Sequence, residues 1–445
     1  MSMDRVSLAE SRVPRYTSYP TAAQFGPGVG RRDVAAWLGR LDPRIPVSVY
    51  AHIPFCRQLC WYCGCHTSIV SRDAPVAAYH EVLLRELDLV ASLAPARLPL
   101  SHLHFGGGTP TILTPGQFGA LMARIGEVFE IRSGAEIAVE IDPRGLDEAR
   151  VAALAASGVN RVSLGIQDLD PGVQAAINRH QPLALVADCV AMLRRYGLER
   201  ISMDLIYGLP RQTPETLRRT VRDVAALAPD RVSLFGYAHV PWMKSHQRLL
   251  EPSGLPDAPE RLVLSDAATA ALLAAGYEAI GIDHFARPGD SLAEAARAGT
   301  LHRNFQGYTT DRAGTLIGIG ASAISTFPGG FAQNAARLDD WRDAIQRGEL
   351  ATARGVRLTD DDRRRSAIIE ALMCNFTVDI APDIAADPTL AEDLERLEPL
   401  VAAGLAARIG TRVTIPPEGR QFARIVAATF DRYLKPEAPR HAAAV

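Results

Sequence analysis

Beyond residue 46 the chain alternates two hydrophobic patterns. Short runs rich in β-branched residues, at Val47–Ile53, Leu100–Phe105, Glu136–Ile141, Arg161–Ile166, Ser202–Tyr207, Arg231–Tyr237 and Tyr277–Ile282, read as buried strands. Between them, apolar positions recur every three to four residues, predicting helices over Val76–Leu93, Pro115–Phe129, Leu146–Ala156, Leu183–Tyr196, Thr213–Leu227 and Pro259–Ala275. Such alternation predicts an α/β fold built on a parallel sheet, either open or rolled into a barrel.

In parallel sheets, ligands sit beyond the C-terminal ends of the strands. Here those ends collect polar and glycine residues: His52-Ile53-Pro54-Phe55-Cys56, Gly106-Gly107-Gly108-Thr109-Pro110, Glu140-Ile141-Asp142-Pro143, Gln167-Asp168, Tyr207-Gly208-Leu209-Pro210 and Gly236-Tyr237-Ala238-His239. Glycines that end a strand let a ligand approach the backbone closely. Glu140, Gln167 and Asp204 are placed to hold ribose hydroxyls or an ammonium group; taken singly, each also fits an ordinary ion pair or helix cap.

Both flanks differ from this pattern. Residues 1–45 contain the proline-broken aromatic segment Pro14–Thr21, which is expected to lie across the main domain. Residues 46–350 form the expected barrel domain with its extension. From 351 to 445 the chain is mainly helical, with helices over Asp361–Met373 and Leu390–Ala403, a strand at Arg412–Ile415 and a last helix over Gly419–Tyr433. The Ala- and Pro-rich tail from Pro436 to Val445 is expected to be frayed.

Composition narrows the class. At 445 residues, with 47% hydrophobic and 22% charged residues, the chain can bury a large core. A net charge of −2 excludes the basic field that drives non-specific nucleic-acid binding, so an anionic ligand must be met by local arginines. Neither a signal-type h-region nor a run approaching about 18 apolar residues is present, and the expected location is the cytoplasm.

Of six cysteines, Cys56, Cys60, Cys63 and Cys65 fall within ten residues, while Cys189 and Cys374 stand apart and read as buried apolar positions. In a reducing compartment, crowded cysteines point to metal or redox chemistry rather than disulfides. A 4Fe-4S cluster ordinarily takes four thiolates. The Cys-x3-Cys-x2-Cys spacing of Cys56, Cys60 and Cys63 offers three, leaving one iron for a non-protein ligand. In radical S-adenosylmethionine (SAM) chemistry, that ligand is the amino and carboxylate groups of SAM, and one electron then releases a 5′-deoxyadenosyl radical. Two other readings compete, a helix face of buried cysteines and a zinc site. Pro54, Gly64 and the neighbouring aromatics disfavour the helix, and only His52 and His66 stand near for zinc.

Tyr50–Cys56, Cys60-Trp61-Tyr62-Cys63-Gly64-Cys65 and Gly106–Pro110 closely resemble oxygen-independent coproporphyrinogen III oxidase of the radical SAM superfamily. The resemblance extends over Pro14–Thr21, Asp204–Pro210, His284–Pro288, His302–Thr310 and Cys374-Asn375-Phe376, nearly the whole chain. It implies an incomplete (β/α)6 barrel, a 4Fe-4S cluster and two SAM molecules. The reaction implied is oxidative decarboxylation of two propionates of coproporphyrinogen III to vinyl groups, giving protoporphyrinogen IX in haem biosynthesis. Carried onto matching positions, Tyr50 and Glu140 belong to the catalytic set. Tyr50, Tyr62, Gly107, Glu140 and Ile324 would contact the cluster-bound SAM, and Gly108, Thr109, Gln167, Arg179, Asp204 and Ala238 the second; Tyr62 stands where relatives can carry Phe.

Four substrate carboxylates require cations, and Arg15, Arg287 and Arg303, with Phe305 and Gln306, lie in matching segments. A one-electron reductant and a monomeric state are also implied. The nearest alternative is a haem chaperone-like relative without decarboxylase activity. The Cys63-Gly64-Cys65 ending and the aromatic arm, both present here, disfavour it.

Overall fold

A computed structural model describes residues 5–434; the tail expected to fray from Pro436 lies outside them. Six strands, β1 (Val47–Ile53), β2 (Leu98–Gly107), β3 (Phe129–Ile141), β4 (Arg161–Gln167), β5 (Ile201–Tyr207) and β6 (Arg231–Gly236), lie side by side in chain order. All five neighbour pairs are parallel. Helices Ala74–Leu93, Pro115–Val128, Glu148–Ala156, Leu183–Arg195 and Pro214–Ala226 lie between consecutive strands, as parallel crossovers require. Capping boxes at Thr114/Gln117 and Thr213/Thr216 start two of them.

These six strands are the centre of a twelve-stranded sheet whose order runs from edge to edge without closing, which makes the barrel incomplete. Beyond β1, Leu316–Ile319 adds a parallel strand, followed by antiparallel Ile324–Phe327, Gly330–Asn334 and Thr352–Arg357. These strands carry no strong helical or alternating signal between turn residues, and sequence patterning missed them. The sheet thus runs past the boundary expected at 350. At the other edge, the run expected as a seventh strand of the series at Tyr277–Ile282 forms only Glu278–Ile280. It pairs antiparallel with His284–Ala286, itself antiparallel to β6. The three residues between the two strands permit a tight reversal but not a crossover helix.

The C-terminal region is more broken than its pattern suggests. Pro399 divides Leu390–Ala403 into Leu390–Glu395 and Glu398–Ala402, since proline fits the first turn of a helix but not its interior. The last expected helix, Gly419–Tyr433, reduces to a 3-10 segment Pro417–Phe422 and helix Ala423–Ala428. One hydrophobic cluster nevertheless runs from Leu8 through the barrel strands to Phe430. The aromatic arm is tied to this region: Tyr16 Oη donates to Asp431 Oδ2 at 3.0 Å, and Arg432 N donates to Tyr19 Oη at 3.2 Å. A buried hydrogen bond to a charged partner contributes about 1.5–3 kcal/mol, which offsets part of the entropy lost in ordering the arm.

Strand alternation sorts the barrel's two faces. Val49, Leu103, Val139, Val162, Met203, Leu205 and Val232 are buried in the apolar cluster. Their neighbours Ser48, His102, Glu136, Ser163, Asp204 and Ser233 line the lumen. At its N-terminal end the lumen is plugged by ions: Arg161 Nε meets Glu136 Oε2 at 3.0 Å and Arg231 Nε meets Asp290 Oδ1 at 2.7 Å. Among the described residues, no helix is long and apolar enough to cross a membrane.

Glu86 links the first helix to the β1-side strands. Gly320 N and Trp341 Nε1 donate to its Oε2 at 2.6 and 3.1 Å, and Asn334 Nδ2 to Oε1 at 2.7 Å. Burial outweighs these donors and pushes the carboxyl up to about 7. A carboxyl that binds its proton more tightly when folded stabilises the protein most at low pH. That contribution is lost as pH rises through 7. Glu86→Gln should therefore show a smaller drop in Tm between about pH 5 and pH 8 than the parent protein; an equal drop in calorimetric scans would show that Glu86 is ionised throughout.

Candidate active site

The C-terminal ends of β1 and β2 are fused through the cysteine loop. Gly108 N and Thr109 N donate to Ile53 O and Phe55 O at 2.9 and 2.8 Å, while Ser68 N and Val70 N close the loop onto Pro54 O and Cys56 O at 2.7 and 3.0 Å. Phe55–Cys56 pairs with Ser68–Ile69, and the chain between them is irregular, so the cysteines occupy a loop rather than a helix face. Lys244 Nζ donates to Cys65 O at 2.7 Å and Gln247 Nε2 to Tyr62 O at 2.9 Å, bracing the loop from the segment after β6.

Cys56, Cys60 and Cys63 line one cavity of about 460 Å³ together with Arg15, Tyr62, Gly107, Gly108, Glu140, Gln167, Arg179, Asp204 and Ala238. That volume suits a cofactor-sized ligand. Glu140 is held from two sides: His104 Nε2 lies 3.0 Å from its Oε1, and Gly107 N donates to Oε2 at 3.2 Å. A Cβ on Gly106 would stand 2.8 Å from Glu140 Oε1, so only glycine leaves the carboxylate its place. Gly107 has φ +116°, which glycine adopts without strain. Gln167 adopts φ +66°, the kind of strained backbone that clusters at functional sites. Asp204 accepts from Ser163 Oγ at 3.1 Å, and burial raises its carboxyl to about 6.

Several expected residues lie outside this cavity. Tyr50 is one layer behind: its hydroxyl meets His52 Nδ1 at 3.0 Å, and its ring stacks on His104, the partner of Glu140. Ile324 borders the same layer, since Tyr50 pairs with Gly318, where a Cβ would stand 2.5 Å from Ile324 O. Thr109 faces a neighbouring cavity with Asp142 and Arg144. Gln306 enters the barrel lumen beside Glu140 and Asp204, from a hairpin (His302–Asn304 with Gly307–Thr309) that shares its turn with Phe305. Phe305 packs edge-on against Phe331, ring centroids 6.1 Å apart. Arg303 is buried over the Tyr308 ring at 4.3 Å, with Nε and Nη1 lacking hydrogen-bond partners.

Arg287 is misplaced by the sequence reading. It lies beside Arg161 and Asp290, at the plugged N-terminal end of the barrel, and donates from Nε to Pro229 O at 3.0 Å. The short antiparallel strand carrying His284–Ala286 delivers it there, opposite to the direction of β6. It cannot meet a ligand at the cysteine end.

The thiols suit an iron–sulfur cluster. Arg144 Nη2 and Arg179 Nη1 donate to Cys60 Sγ at 3.3 and 3.4 Å, and Thr67 Oγ1 donates to Cys56 Sγ at 3.5 Å. Hydrogen bonds from the side chain and backbone of Cys65, aided by His246 and Lys244, lower the Cys63 thiol to about 6, whereas burial raises Cys56 to about 11. Cationic donors aimed at sulfur stabilise thiolates and the negative charge of a reduced cluster. Among the described residues, no three His, Cys, Asp or Glu side chains converge on a point fit for a single ion. A cubane presents separate irons to separate thiolates, so its ligands need no common point.

Residues 50–224 match the radical SAM superfamily. The chain is 49% identical to the oxygen-independent coproporphyrinogen III oxidase of Bradyrhizobium diazoefficiens, over 99% of each chain. The chain belongs to the oxygen-independent coproporphyrinogen III oxidase family. It is also 40% identical to the Escherichia coli member, over 96% of this chain and 94% of that one. The solved structure of Escherichia coli coproporphyrinogen III oxidase, described as a radical SAM enzyme, superposes with a TM-score of 0.89 at 38% identity, covering 95% of this chain and all of that one. The family uses a 4Fe-4S cluster and SAM, and the arrangement around Cys56, Cys60 and Cys63 fits both.

The sequence reading overlooked Asp142 and Arg144 as parts of this site. Asp142 binds Arg144 at 2.6 Å and Arg179 at 3.4 Å, aligning both guanidinium groups on Cys60. Its place at the end of β3 was the available signal; Arg144 had none.

Cys56→Ser, Cys60→Ser and Cys63→Ser should each purify anaerobically without cluster iron, while Cys65→Ser retains it. Equal iron loss in Cys65→Ser and Cys56→Ser would overturn the three-ligand assignment. Arg144→Gln should keep the iron but shift the cluster's reduction potential tens of millivolts more negative, read by redox titration.

Proposed function

We propose that this protein carries out the oxygen-independent oxidative decarboxylation of two propionates of coproporphyrinogen III to vinyl groups, yielding protoporphyrinogen IX for haem biosynthesis. The observation that carries this reading is a single cavity lined by Cys56, Cys60, Cys63 and Cys65 together with Glu140, Gln167 and Asp204, with Arg15 among its three arginines, in a chain 49% identical end to end to a named coproporphyrinogen oxidase. When bound, the cluster and SAM supply a carbon radical able to take a hydrogen atom from a propionate β-carbon. Departure of carbon dioxide, with the remaining electron passed to an external one-electron acceptor, would leave the vinyl group.

The chain's residues bind, orient and shield. Glu140, fixed by His104 and Gly107, presents a carboxylate to the cluster-bound SAM, and Tyr50 supports it through the His104 ring. Gln167, Arg179, Asp204, Gly108, Thr109 and Ala238 are the contacts proposed for a second SAM. Arg15 at the rim offers a cation to substrate carboxylates, and Gln306 reaches toward the lumen from the hairpin above it. Arg303, on the first strand of that hairpin and stacked over Tyr308, is a further cation. The working form is a cytoplasmic monomer served by a one-electron reductant.

Anaerobic incubation of the reduced, cluster-loaded protein with SAM and coproporphyrinogen III should give protoporphyrinogen and 5′-deoxyadenosine by mass spectrometry. Tight haem binding without turnover would instead identify a haem-binding relative and sink the proposal. Glu140→Gln, which keeps shape but not charge, should lower kcat/KM for SAM at least about tenfold, roughly 1.4 kcal/mol of transition-state stabilisation.

A further inference from the structure

The barrel lumen is a cavity of about 210 Å³ that shares Glu140, Ser163, Asp204 and Phe235 with the cysteine-lined one. Asp204 therefore belongs to both. Its register partner on β6 is Ser233, and the partner of Ser233 on the strand His284–Ala286 is His284, so the three side chains form one row across the lumen face. His284 ends that row, two strand spacings or roughly 10 Å from Asp204.

The imidazole of His284 is held in one orientation. Its Nδ1 lies 2.6 Å from Asp283 Oδ1, and Phe235 and Tyr308 each meet the ring edge-on, with centroids 5.7 and 5.2 Å away. Gly307 closes against the other nitrogen: a Cβ there would stand 2.9 Å from Nε2, and its φ of +118° suits glycine. Behind the ring, Arg303 Nη1 lies 3.9 Å from Asp283 Oδ1. Despite burial, His284 and Arg303 hold the Asp283 carboxyl well below the usual range. One carboxylate between two cationic side chains leaves the trio a surplus positive charge when both ring nitrogens carry protons.

The other cations around Asp204 are committed elsewhere. In the lumen His102 meets Asp311 at 3.1 Å and His104 meets Glu140 at 3.0 Å, while Arg161 and Arg231 pair with Glu136 and Asp290 at the closed end. At the cysteine end Arg144 and Arg179 share Asp142, and Arg15 donates to Gly236 O at 3.1 Å. Burial lifts the Asp204 carboxyl to about 6; the Ser233 hydroxyl opposes the rise, Glu140 adds to it, and His284 and Ser163 oppose it.

We propose that His284 is a positioning residue for Asp204: as an imidazolium backed by Asp283 and Arg303, it keeps the Asp204 carboxylate charged where the lumen meets the cysteine cavity, ready to accept from hydroxyl or ammonium donors of SAM. The identity of that ligand rests on the SAM contact proposed for Asp204. Two unit charges roughly 10 Å apart, at an effective dielectric of about 20, shift a carboxyl by about one pH unit. Without that cation, a group already lifted by burial would be half protonated near neutral pH.

The cluster-loaded full-length protein is titrated between about pH 5 and pH 8.5 with two readouts. Infrared difference spectra follow the protonated Asp204 carboxyl, assigned by its loss in Asp204→Asn, and equilibrium dialysis gives the Kd of labelled SAM. In the parent protein the carboxyl gives up its proton near pH 6, and SAM binds more weakly below that point. His284→Gln should raise the infrared midpoint by about one unit, weaken SAM binding about fivefold at pH 6 and leave it within about twofold at pH 8.5. His284→Lys, which keeps the charge, should restore the midpoint, and in the Asp204→Asn background His284→Gln should change the SAM Kd less than about twofold. An unmoved infrared midpoint, or equal weakening of SAM binding at both pH values, overturns the positioning role. If His284→Gln loses iron or its melting transition, Arg303→Gln, which removes the surplus charge without touching the ring, carries the same test, with a rise of at least about half a unit expected and no rise overturning the proposal. The two readings fail separately. A raised midpoint with SAM binding indifferent to Asp204→Asn removes the SAM contact alone. SAM binding that depends on Asp204, with an unmoved midpoint in His284→Gln, removes the His284 role alone.

Discussion

Everything at the active end of this protein hangs on the backbone bonds that join β1 to β2 beyond their regular pairing. Because Gly108 and Thr109 donate to Ile53 and Phe55, the cysteine loop and the glycine run are held in one register rather than as two adjacent turns. The loop then closes on itself through Ser68 and Val70. A glycine run without side chains is what allows Glu140 to lie against β2, and Glu140 in turn bonds back to Gly107. Positions of thiol, carboxylate and backbone are thus set by one hydrogen-bonded unit built on two parallel strands.

The second constraint is charge. A chain of net charge −2 encloses a lumen lined by His102, His104, Glu136, Glu140, Arg161, Asp204 and Arg231. These groups are separated along the strands. At the closed end arginines meet acids in pairs, as at Arg161–Glu136 and Arg231–Asp290. At the open end Arg144 and Arg179 share Asp142 and turn toward Cys60. Buried ions persist only when paired or when a ligand completes them, so pairing at one end and cationic excess at the other divide structural from functional arginines.

This division explains where sequence reading succeeded and where it failed. Strand–helix alternation is carried by local periodicity, so all six parallel strands were legible, as was the clustering of Gly106–Gly108, Glu140 and Gln167 at their ends. Arg287 was not. Its segment adjoins expected site residues in the chain, but the reversal at 281–283 sends it to the plugged end. The added strands from Leu316 to Arg357 were equally silent, because a short strand completing a sheet edge draws its stability from neighbours rather than from its own pattern.

The sequence by itself determined the alternating α/β framework, the cysteine spacing that offers three thiolates, and the glycine and acid positions at the strand ends. Those depend on residue type and on neighbours a few positions away. Only the tertiary structure decided which arginines face the cysteine cavity, that Tyr50 stands behind Glu140 rather than beside the thiols, and that the aromatic arm is tied to the C-terminal region through Tyr16 and Asp431. Long-range contacts bring those groups together, and their partners lie tens to hundreds of residues away.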